Sequence, residues 1–291
     1  MLTVTFWGVR GSTPCPEEGK RRYGGNTSCV ALEAPGSDPI LLDLGTGLRA
    51  YGATQPADGS FRGHALVTHL HFDHVQGLPF FACADRPGAR FDIYAPVQPG
   101  GQTLRDAVAD FIRPPYFPVC CTELRGDYRF HGVGDTDLVV GDAKVTVRTV
   151  PHVGDTNGYR VELGGASVAY VSDHQQPVDP GADVSAGVLE LADGADLLIH
   201  DAQYTSAEFA EKSHWGHCTV EYAVEVARRA GARRLALFHH DPGHDDDAVD
   251  AVLADARAAA EGSGIEVLAA AEGLTVALAD VAPDPWLELD H

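Results

Sequence analysis

Short runs of β-branched, aromatic and other apolar residues recur along the whole chain, and Gly, Pro, Asp or Asn bounds most of them. Runs of this length and composition are typical of β-strands. In order, they are LTVTFWGV, TSCVALEA, PILLDLG, HALVTHL, FDIYAP, KVTVRTV, GYRVEL, SVAYVSD, DLLIHD, RLALFHH, IEVLAA and LTVAL. The pattern therefore predicts strands from one end of the chain to the other.

Two segments in the second half repeat apolar residues at the period of an α-helix. TVEYAVEVARRAGA has a candidate N-cap at Thr219 and a candidate stop at Gly231, and DDDAVDAVLADARAAAEGSG is opened by aspartates and closed by Gly262. Their apolar stripes comprise Val220, Ala223, Val224, Ala227, Val249, Val252, Leu253, Ala256 and Ala260. Many strands early and helix–strand alternation late predict a layered α/β structure.

Unusual polar residues fall at the ends of several predicted strands. His69 follows ALVT, His152 follows VRTVP, Asp173 follows VAYVS, His200 follows DLLI, and His239 follows LALF. If these strand ends converge on one sheet edge, residues far apart in sequence build one site there.

The stretch HLHFDH carries the densest candidate chemistry. His69 and His71 are two residues apart, so in extended chain they point to the same side and could hold one cation. Asp73 and His74 come where the chain must turn, and they could address a second cation nearby. Nitrogen and carboxylate ligands suit Zn²⁺, our first choice, and also manganese or iron.

Two cations need further ligands from elsewhere in the chain. His152 in TVPHVGDT is the first candidate, and Asp173 in YVSDHQQ is the second, because a carboxylate can bridge two cations. The third is His239 in LFHHDP, with His240 as a competitor. Adjacent residues of a strand face opposite ways, so we expect only one of these two histidines to serve.

With these residues, THLHFDH resembles the hallmark of the metallo-β-lactamase superfamily, and the order His152, Asp173, His239 is similar to that superfamily's remaining ligands. The resemblance implies an α/β (α+β) fold, a four-layer αββα sandwich with a binuclear metal site at one edge. It covers nearly the whole chain, so we expect residues 1–291 to form a single domain.

Within the superfamily the chain is most similar to the ribonuclease Z-like phosphodiesterase branch. GNTSCVALE, with Asn26, lies where that branch has an Asn–Ser element, and ADLLIHDAQY resembles its His–Glu–Ala–Thr loop, with Asp201 in place of Glu. WGHCTVEYAVEVA resembles its His–Ser–Thr segment leading into a helix. More narrowly, FWGVRGSTP, YGGNTSC, HDAQYT, WGHCT and FHHDP together resemble a little-characterised bacterial hydrolase group.

A binuclear centre activates water and clamps the oxygens of an in-line displacement at phosphorus. The departing alkoxide then needs a proton donor, and by resemblance His217 is that histidine. Asp73 could serve both as a ligand and as a proton acceptor. Asp201 could orient His217 or a ligand histidine, and a plain turn role for His200 and Asp201 stays open.

Residues 112–121, IRPPYFPVCC, are a candidate lid loop because three prolines flank Tyr116 and Phe117. The two aromatic rings could cover a base or an acyl group, and a proline-rich loop that only covers the core is the alternative. Arg10, Arg21 and Arg22 lie near glycine-rich stretches and could meet a phosphate, although surface positions are their default.

Charge and spacing narrow the substrate. The chain has 42 acidic residues against 21 Lys plus Arg, a net charge of −21, which repels polyanions and anionic membranes. Only 21 residues separate His152 from Asp173 (173 − 152), which leaves no room for the tRNA-gripping arm of long-armed ribonuclease Z enzymes. His71 stands where the flavin-partnered di-iron branch has Glu, which argues against redox chemistry. We therefore expect a small anionic substrate, such as a cyclic nucleotide, and no long nucleic acid.

Two alternatives remain open. A carboxyl ester, thioester or lactone hydrolase would use the same water-activating centre, and a non-enzymatic metal-binding sensor would need no turnover. Similar proteins are commonly dimers, so a homodimer is also open. No apolar run is long enough to span a bilayer, and MLTVTFWGVRG lacks the features of a signal peptide. The six cysteines form no C-x-x-C pair, which favours reduced thiols and a cytoplasmic location.

Overall fold

The computed structural model describes residues 1–179 and 181–278, which form fourteen strands and seven α-helices. The strands are β1 (Leu2–Gly8), β2 (Cys29–Glu33), β3 (Ile40–Leu42), β4 (Arg62–Leu66), β5 (Arg90–Pro96), β6 (Asp127–Val133), β7 (Thr136–Val140), β8 (Ala143–Thr149), β9 (Asn157–Leu163), β10 (Ala166–Val171), β11 (Leu197–Asp201), β12 (Arg234–Phe238), β13 (Glu266–Ala269) and β14 (Thr275–Leu278). The helices are α1 (Gly47–Thr54), α2 (Phe72–Val75), α3 (Leu104–Phe111), α4 (Ala186–Ala192), α5 (Ser206–Lys212), α6 (Val220–Ala230) and α7 (Asp246–Ala259).

The strands form two mixed sheets of seven strands each. One has the order β14-β1-β2-β3-β4-β5-β6 and the other β13-β12-β11-β10-β9-β8-β7. Apolar side chains between the sheets, such as Phe6, Tyr159 and Phe238, form the central core. α1 and α3 cover the outer face of the first sheet, and α4, α6 and α7 cover the second. The predicted four-layer αββα sandwich is confirmed.

Burial explains why the central strands could be predicted from the sequence. Every residue of β10 is buried, because the strand has the other sheet on one side and helices on the other. The predicted helix α6 is capped as expected, since the Thr219 hydroxyl accepts from Tyr222 N and Gly231 has φ 64°. α7 ends at Ala259, three residues before the predicted stop at Gly262.

Two edge strands and five helices were not predicted. β7 has the burial pattern of an exposed edge, and β6 mixes charged and apolar residues, so neither gives a clear apolar run. α2 has four residues and α1, α3, α4 and α5 have seven or eight, which is too short for the helical period to stand out. Within the described ranges, none of the helices combines the length and apolarity that crossing a bilayer requires.

The carboxyl ends of several strands meet between the sheets. β8 and β10 both pair antiparallel with β9, and β10, β11 and β12 are parallel, so these four strands end at the same edge of the second sheet. In the first sheet, β3, β4, β5 and β6 are parallel. His69 follows β4 of the first sheet, whereas the other strand-end residues follow strands of the second sheet, so the two sheets both contribute to this region.

Candidate metal centre

The histidine-rich motif lies in the connection between β4 and α2. β4 ends three residues before His69, so the two motif histidines lie in a loop and not in extended strand. His69 is buried, whereas His71 is exposed and directly precedes α2. Asp73 and His74 are buried in the single turn of that helix. One short connection therefore supplies four donor side chains.

The fold brings the donor atoms of six predicted ligands into two neighbouring groups. In each group the ligand atoms lie within 4.8 Å of one another. The groups are His69, His71 and His152, and Asp73, His74 and His239. Each group combines residues that follow strands of both sheets.

Asp173 lies between the two groups and faces both. Its Oδ2 is 3.8 Å from Nε2 of His69 and 3.6 Å from Nε2 of His152. Its Oδ1 is 3.3 Å from Nε2 of His74 and 3.4 Å from Nε2 of His239. This is the arrangement of a carboxylate that can bridge two cations.

Hydrogen bonds fix the tautomers of two of these histidines. Nδ1 of His152 lies 2.7 Å from the carbonyl oxygen of Gly216, and Nδ1 of His239 lies 2.8 Å from Oε1 of Gln203. Because both partners are acceptors, each Nδ1 must donate its hydrogen. A neutral ring therefore presents the Nε2 lone pair to Asp173.

His74 gives the clearest test of whether the site fits a cation. Its Nδ1 donates to Oδ2 of Asp43 at 2.7 Å. Its buried Nε2 makes no hydrogen bond, although carboxylate oxygens of Asp73 and Asp173 lie 3.2 and 3.3 Å away. A lone pair facing two anionic oxygens is repulsive, and a positive charge between them removes the repulsion. The donor set therefore fits divalent cations, in agreement with the nitrogen and carboxylate chemistry of the ligands.

The pKa values of the centre reflect the same crowding of charge. A proton on Nε2 can also supply this positive charge: burial disfavours the charged form of His74, but Asp73, Asp173 and Asp43 outweigh it and raise the pKa of His74 well above its ordinary value. Burial lowers the pKa of His69. For Asp73, the effect of burial is overcome by His74 and His239, so the pKa of Asp73 is held far below its usual range.

Asp43 holds a candidate ligand of the centre in place, although no sequence motif marks it. Its carboxylate accepts hydrogen bonds from His74, from the backbone and hydroxyl of Thr68, and from the hydroxyl of Tyr170 at 2.7 Å. It directly follows β3 with φ 58°. The strand-end criterion that selected Asp173 would also have found Asp43.

Two close backbone approaches shape the centre. The backbone N–H of Ser12 donates to Oδ2 of Asp73 at 2.7 Å. Gly216 has φ 97°, and a Cβ there would lie 2.4 Å from the His152 ring. The glycine of the WGHCT segment is therefore needed both for its backbone conformation and for space.

His217 lies beside the centre and is held by Asp201. Its Nδ1 is 2.8 Å from Oδ2 of Asp201, and its ring stacks on His239 with centroids 5.0 Å apart. Backbone N–H groups of His174 and Gln203 also donate to Asp201. Burial lowers the pKa of His217, but Asp201 outweighs it, and the net pKa is raised above the ordinary value.

Three predicted polar residues lie away from the donor groups. His200 is buried in β11 on the face turned to the helices, where its Nε2 is 3.0 Å from Nδ1 of His174. His240 points to the carbonyl oxygen of Ala270 at 2.8 Å. Asn26 is tied through its backbone and side-chain nitrogens to Glu272.

The candidate lid, residues 112–121, is anchored at both ends. Ile112 and Cys121 are buried, and a backbone hydrogen bond of 2.9 Å joins them. Tyr116 is exposed, whereas Phe117 is half-buried against Phe80 with ring centroids 5.7 Å apart. Of the two aromatic rings proposed to cover a substrate, only that of Tyr116 is therefore largely free.

The three arginines that could meet a phosphate differ in their exposure. Arg10 is fully buried and donates to the carbonyl oxygens of Gly24 and His244, so its default surface position was wrong. Arg21 and Arg22 are exposed, and Arg22 pairs with acidic residues of α7.

Known proteins resemble this chain over most of its length. A family model described as a beta-lactamase superfamily domain matches residues 39–240. A curated relative named ribonuclease Z, from Natronomonas pharaonis, is 28% identical over 284 residues, which cover 82% of this chain and 86% of the relative.

Solved structures show the same fold. The metallo-beta-lactamase fold protein YhfI from Bacillus subtilis superposes with a TM-score of 0.70 at 19% identity, covering 94% of this chain and 98% of that one. Human tRNase Z, short form, gives 0.67 at 23% identity, with the same coverage of 94% and 98%. Unliganded yeast PDE1 gives 0.70 at 12% identity, covering 95% and 99%.

Proposed function

Because this chain belongs to the metallo-β-lactamase superfamily and is a metal-dependent hydrolase, we propose that it cleaves small phosphodiesters. The observation that carries the proposal is the pair formed by His217 and Asp201 beside the donor groups. Ester hydrolysis with a poor alkoxide leaving group needs a proton donor, and Asp201 favours the protonated form of His217, because it outweighs burial and raises the pKa of that ring. The relatives named ribonuclease Z also favour a phosphodiester over a carboxyl ester.

In this proposal the ligands are His69, His71, His152, Asp73, His74 and His239, with Asp173 bridging. Divalent cations, with Zn²⁺ as first choice and manganese or iron as alternatives, would supply Lewis acidity and lower the pKa of a water at neutral pH. Asp43, Gln203 and Gly216 hold ligand histidines in the orientation and tautomer that binding requires.

The proton-transfer roles fall to this chain's own side chains. His217 gives its proton to the departing oxygen, and Asp201 holds the ring and stabilises its charged form. Asp73 lies between the backbone N–H of Ser12 and Nε2 of His74, and we propose it both as a ligand and as the proton acceptor.

The small size of the substrate rests on charge. A net charge of −21 opposes binding of a long polyanion. The relatives named ribonuclease Z favour testing nucleic acid as well. Single nucleotides, dinucleotides and a tRNA precursor should therefore be compared as substrates in one assay. The cytoplasmic location and the homodimer stay predictions.

A substrate panel tests the proposal. Purified protein with Zn²⁺ or Mn²⁺ is offered bis-p-nitrophenyl phosphate, 2′,3′- and 3′,5′-cyclic nucleotides, dinucleotides, a tRNA precursor, a thioester and a lactone. We expect turnover of the small phosphodiesters. Hydrolysis of the lactone or thioester alone would overturn the proposal in favour of acyl chemistry, and bound metal without any turnover would favour a metal-binding sensor.

A further inference from the structure

A narrow groove opens beside the first donor group. It has a volume of about 240 Å³ and is lined by His69, His71, Leu70, Gln98, Val153 and Asp155, together with Pro99 and Gly154. We call it the His71 groove. A drug-sized ligand usually occupies about 300–1,000 Å³, so this groove fits one substituent of a substrate. Since two ligand histidines form its wall, that substituent lies close to the bond being cleaved.

The apolar walls of the groove suit a flat ring. Leu70, Pro99 and Val153 contribute hydrocarbon surface, and Val153 is half exposed. Gly154 adds no side chain at all. Planar aromatic groups gain most from such walls, because both faces lose contact with water.

The polar side chains of the groove present acceptors. The Gln98 amide nitrogen donates to the carbonyl oxygen of Pro96 at 2.7 Å, and its amide oxygen accepts no hydrogen bond within the described residues. The Asp155 carboxylate is exposed, and it forms no hydrogen bond or ion pair with any residue that the structure describes. Both oxygens of this carboxylate can therefore accept hydrogen bonds from a ligand that carries N–H groups.

We propose that the His71 groove binds the nucleobase of a nucleotide substrate and that Asp155 selects bases with an N–H edge, guanine above all. Guanine carries N1–H and the 2-amino group side by side, and these match the two oxygens of one carboxylate. The negative charge of Asp155 also repels a second phosphate, which favours a substrate with a single phosphodiester. This inference rests on the proposed function and specifies its substrate.

A matched pair of substrates tests it. Cyclic GMP and cyclic IMP differ only by the 2-amino group, so only the former can fill both oxygens of Asp155. We expect wild type to cleave cyclic GMP with a kcat/KM about 10-fold higher, as for a bidentate contact compared with a single one. Asp155→Asn should bring the ratio near one, mainly through a higher KM for cyclic GMP.

The control is Asp142→Asn, an equally exposed carboxylate in a separate cavity, which should keep the wild-type ratio. Thermal melting shows that each variant is folded. Equal kcat/KM values for the two nucleotides in wild type, or an unchanged ratio in Asp155→Asn, would overturn the assignment of the groove. If the protein still cleaves bis-p-nitrophenyl phosphate, the proposed function stands even then. Failure to cleave any phosphodiester overturns both.

Discussion

The amide oxygen of Gln203 lies 2.8 Å from Nδ1 of His239, and the nitrogen of the same amide lies 3.4 Å from Oδ2 of Asp241. Asp241 therefore decides which way the amide points, because a carboxylate accepts only from the nitrogen. Lys212 lies 3.3 Å from the same oxygen of Asp241. With Nδ1 donating, a neutral His239 ring carries its lone pair on Nε2, which is directed at Asp73 and Asp173.

Replacing Gln203 should weaken metal binding without removing a ligand. Gln203→Leu takes away the acceptor that orients His239, and losses of partners of this kind cost about 10- to 100-fold in metal affinity. Competition with a chelator of known affinity measures the change. Gln203→Glu should retain more of the affinity than Gln203→Leu, since its carboxylate also accepts from Nδ1, although it loses the hydrogen bond to Asp241. Equal affinity in wild type and Gln203→Leu would contradict the prediction.

The metal content of two variants should distinguish the proposed bridging carboxylate from a ligand that serves one group only. His152→Ala leaves the group of Asp73, His74 and His239 complete, so in native mass spectrometry we expect about one cation per chain for this variant and two for wild type. Asp173→Ala affects both groups and should reduce the content further. Equal metal content in the two variants would show that Asp173 does not bridge.

Gly216→Ala should displace the His152 ring. An added methyl group would lie 2.4 Å from the ring, in addition to the strain of φ 97°. Gly262→Ala is the matched control, because Gly262 also has positive φ (74°) but has open space around it. We expect only Gly216→Ala to lose metal from the His152 group, and both to lower the melting temperature. Full metal content in folded Gly216→Ala would refute this account.

The effect of His217→Ala should depend on the leaving group. For an alkyl phosphodiester we expect a loss in kcat of about 10²- to 10⁴-fold, because general acid catalysis contributes that much when the departing oxygen is basic. For bis-p-nitrophenyl phosphate, whose leaving group needs no proton, the loss should be much smaller. His214→Ala, at an exposed position nearby, serves as the control. The same loss for both substrates would rule out the proton-donor role.

His64 should make folding stability depend on pH. Burial lowers the pKa of this histidine, and neither ring nitrogen has a hydrogen-bond partner in the described residues. As pH falls through about 6.5, the unfolded chain takes up a proton that the folded chain does not, so this group's contribution to stability is lost toward acid.

His64→Asn removes that titration. Urea unfolding between pH 7.5 and pH 5 should show the wild type losing stability relative to the variant as pH falls. The metal ligands titrate in both proteins and cancel from the difference. A difference that is constant with pH would show that the pKa of His64 is the same in both states.

Two signals made the ligands predictable from sequence: the HLHFDH motif marks His71, Asp73 and His74, and a strong strand precedes each of the others, His69, His152, Asp173 and His239. Runs such as ALVT and VAYVS are buried on both faces, so they stand out as apolar, and the polar residue that follows them has few structural reasons to be His or Asp. Gln203 gives no comparable signal, because a glutamine after a strand is usually a surface residue. Its role arises only from the position of Asp241, which lies 38 residues later in the chain.

The sequence by itself determined the layered fold and the set of donor residues, since strand patterns and the HLHFDH motif are local properties of the chain. The tertiary structure decided which donors act together. It turned His239 to the centre and His240 to Ala270, directed His200 to the helix layer, and set Asp173 between the two groups. These outcomes depend on side-chain directions at strand ends and on the packing of one sheet against the other, which no local pattern specifies.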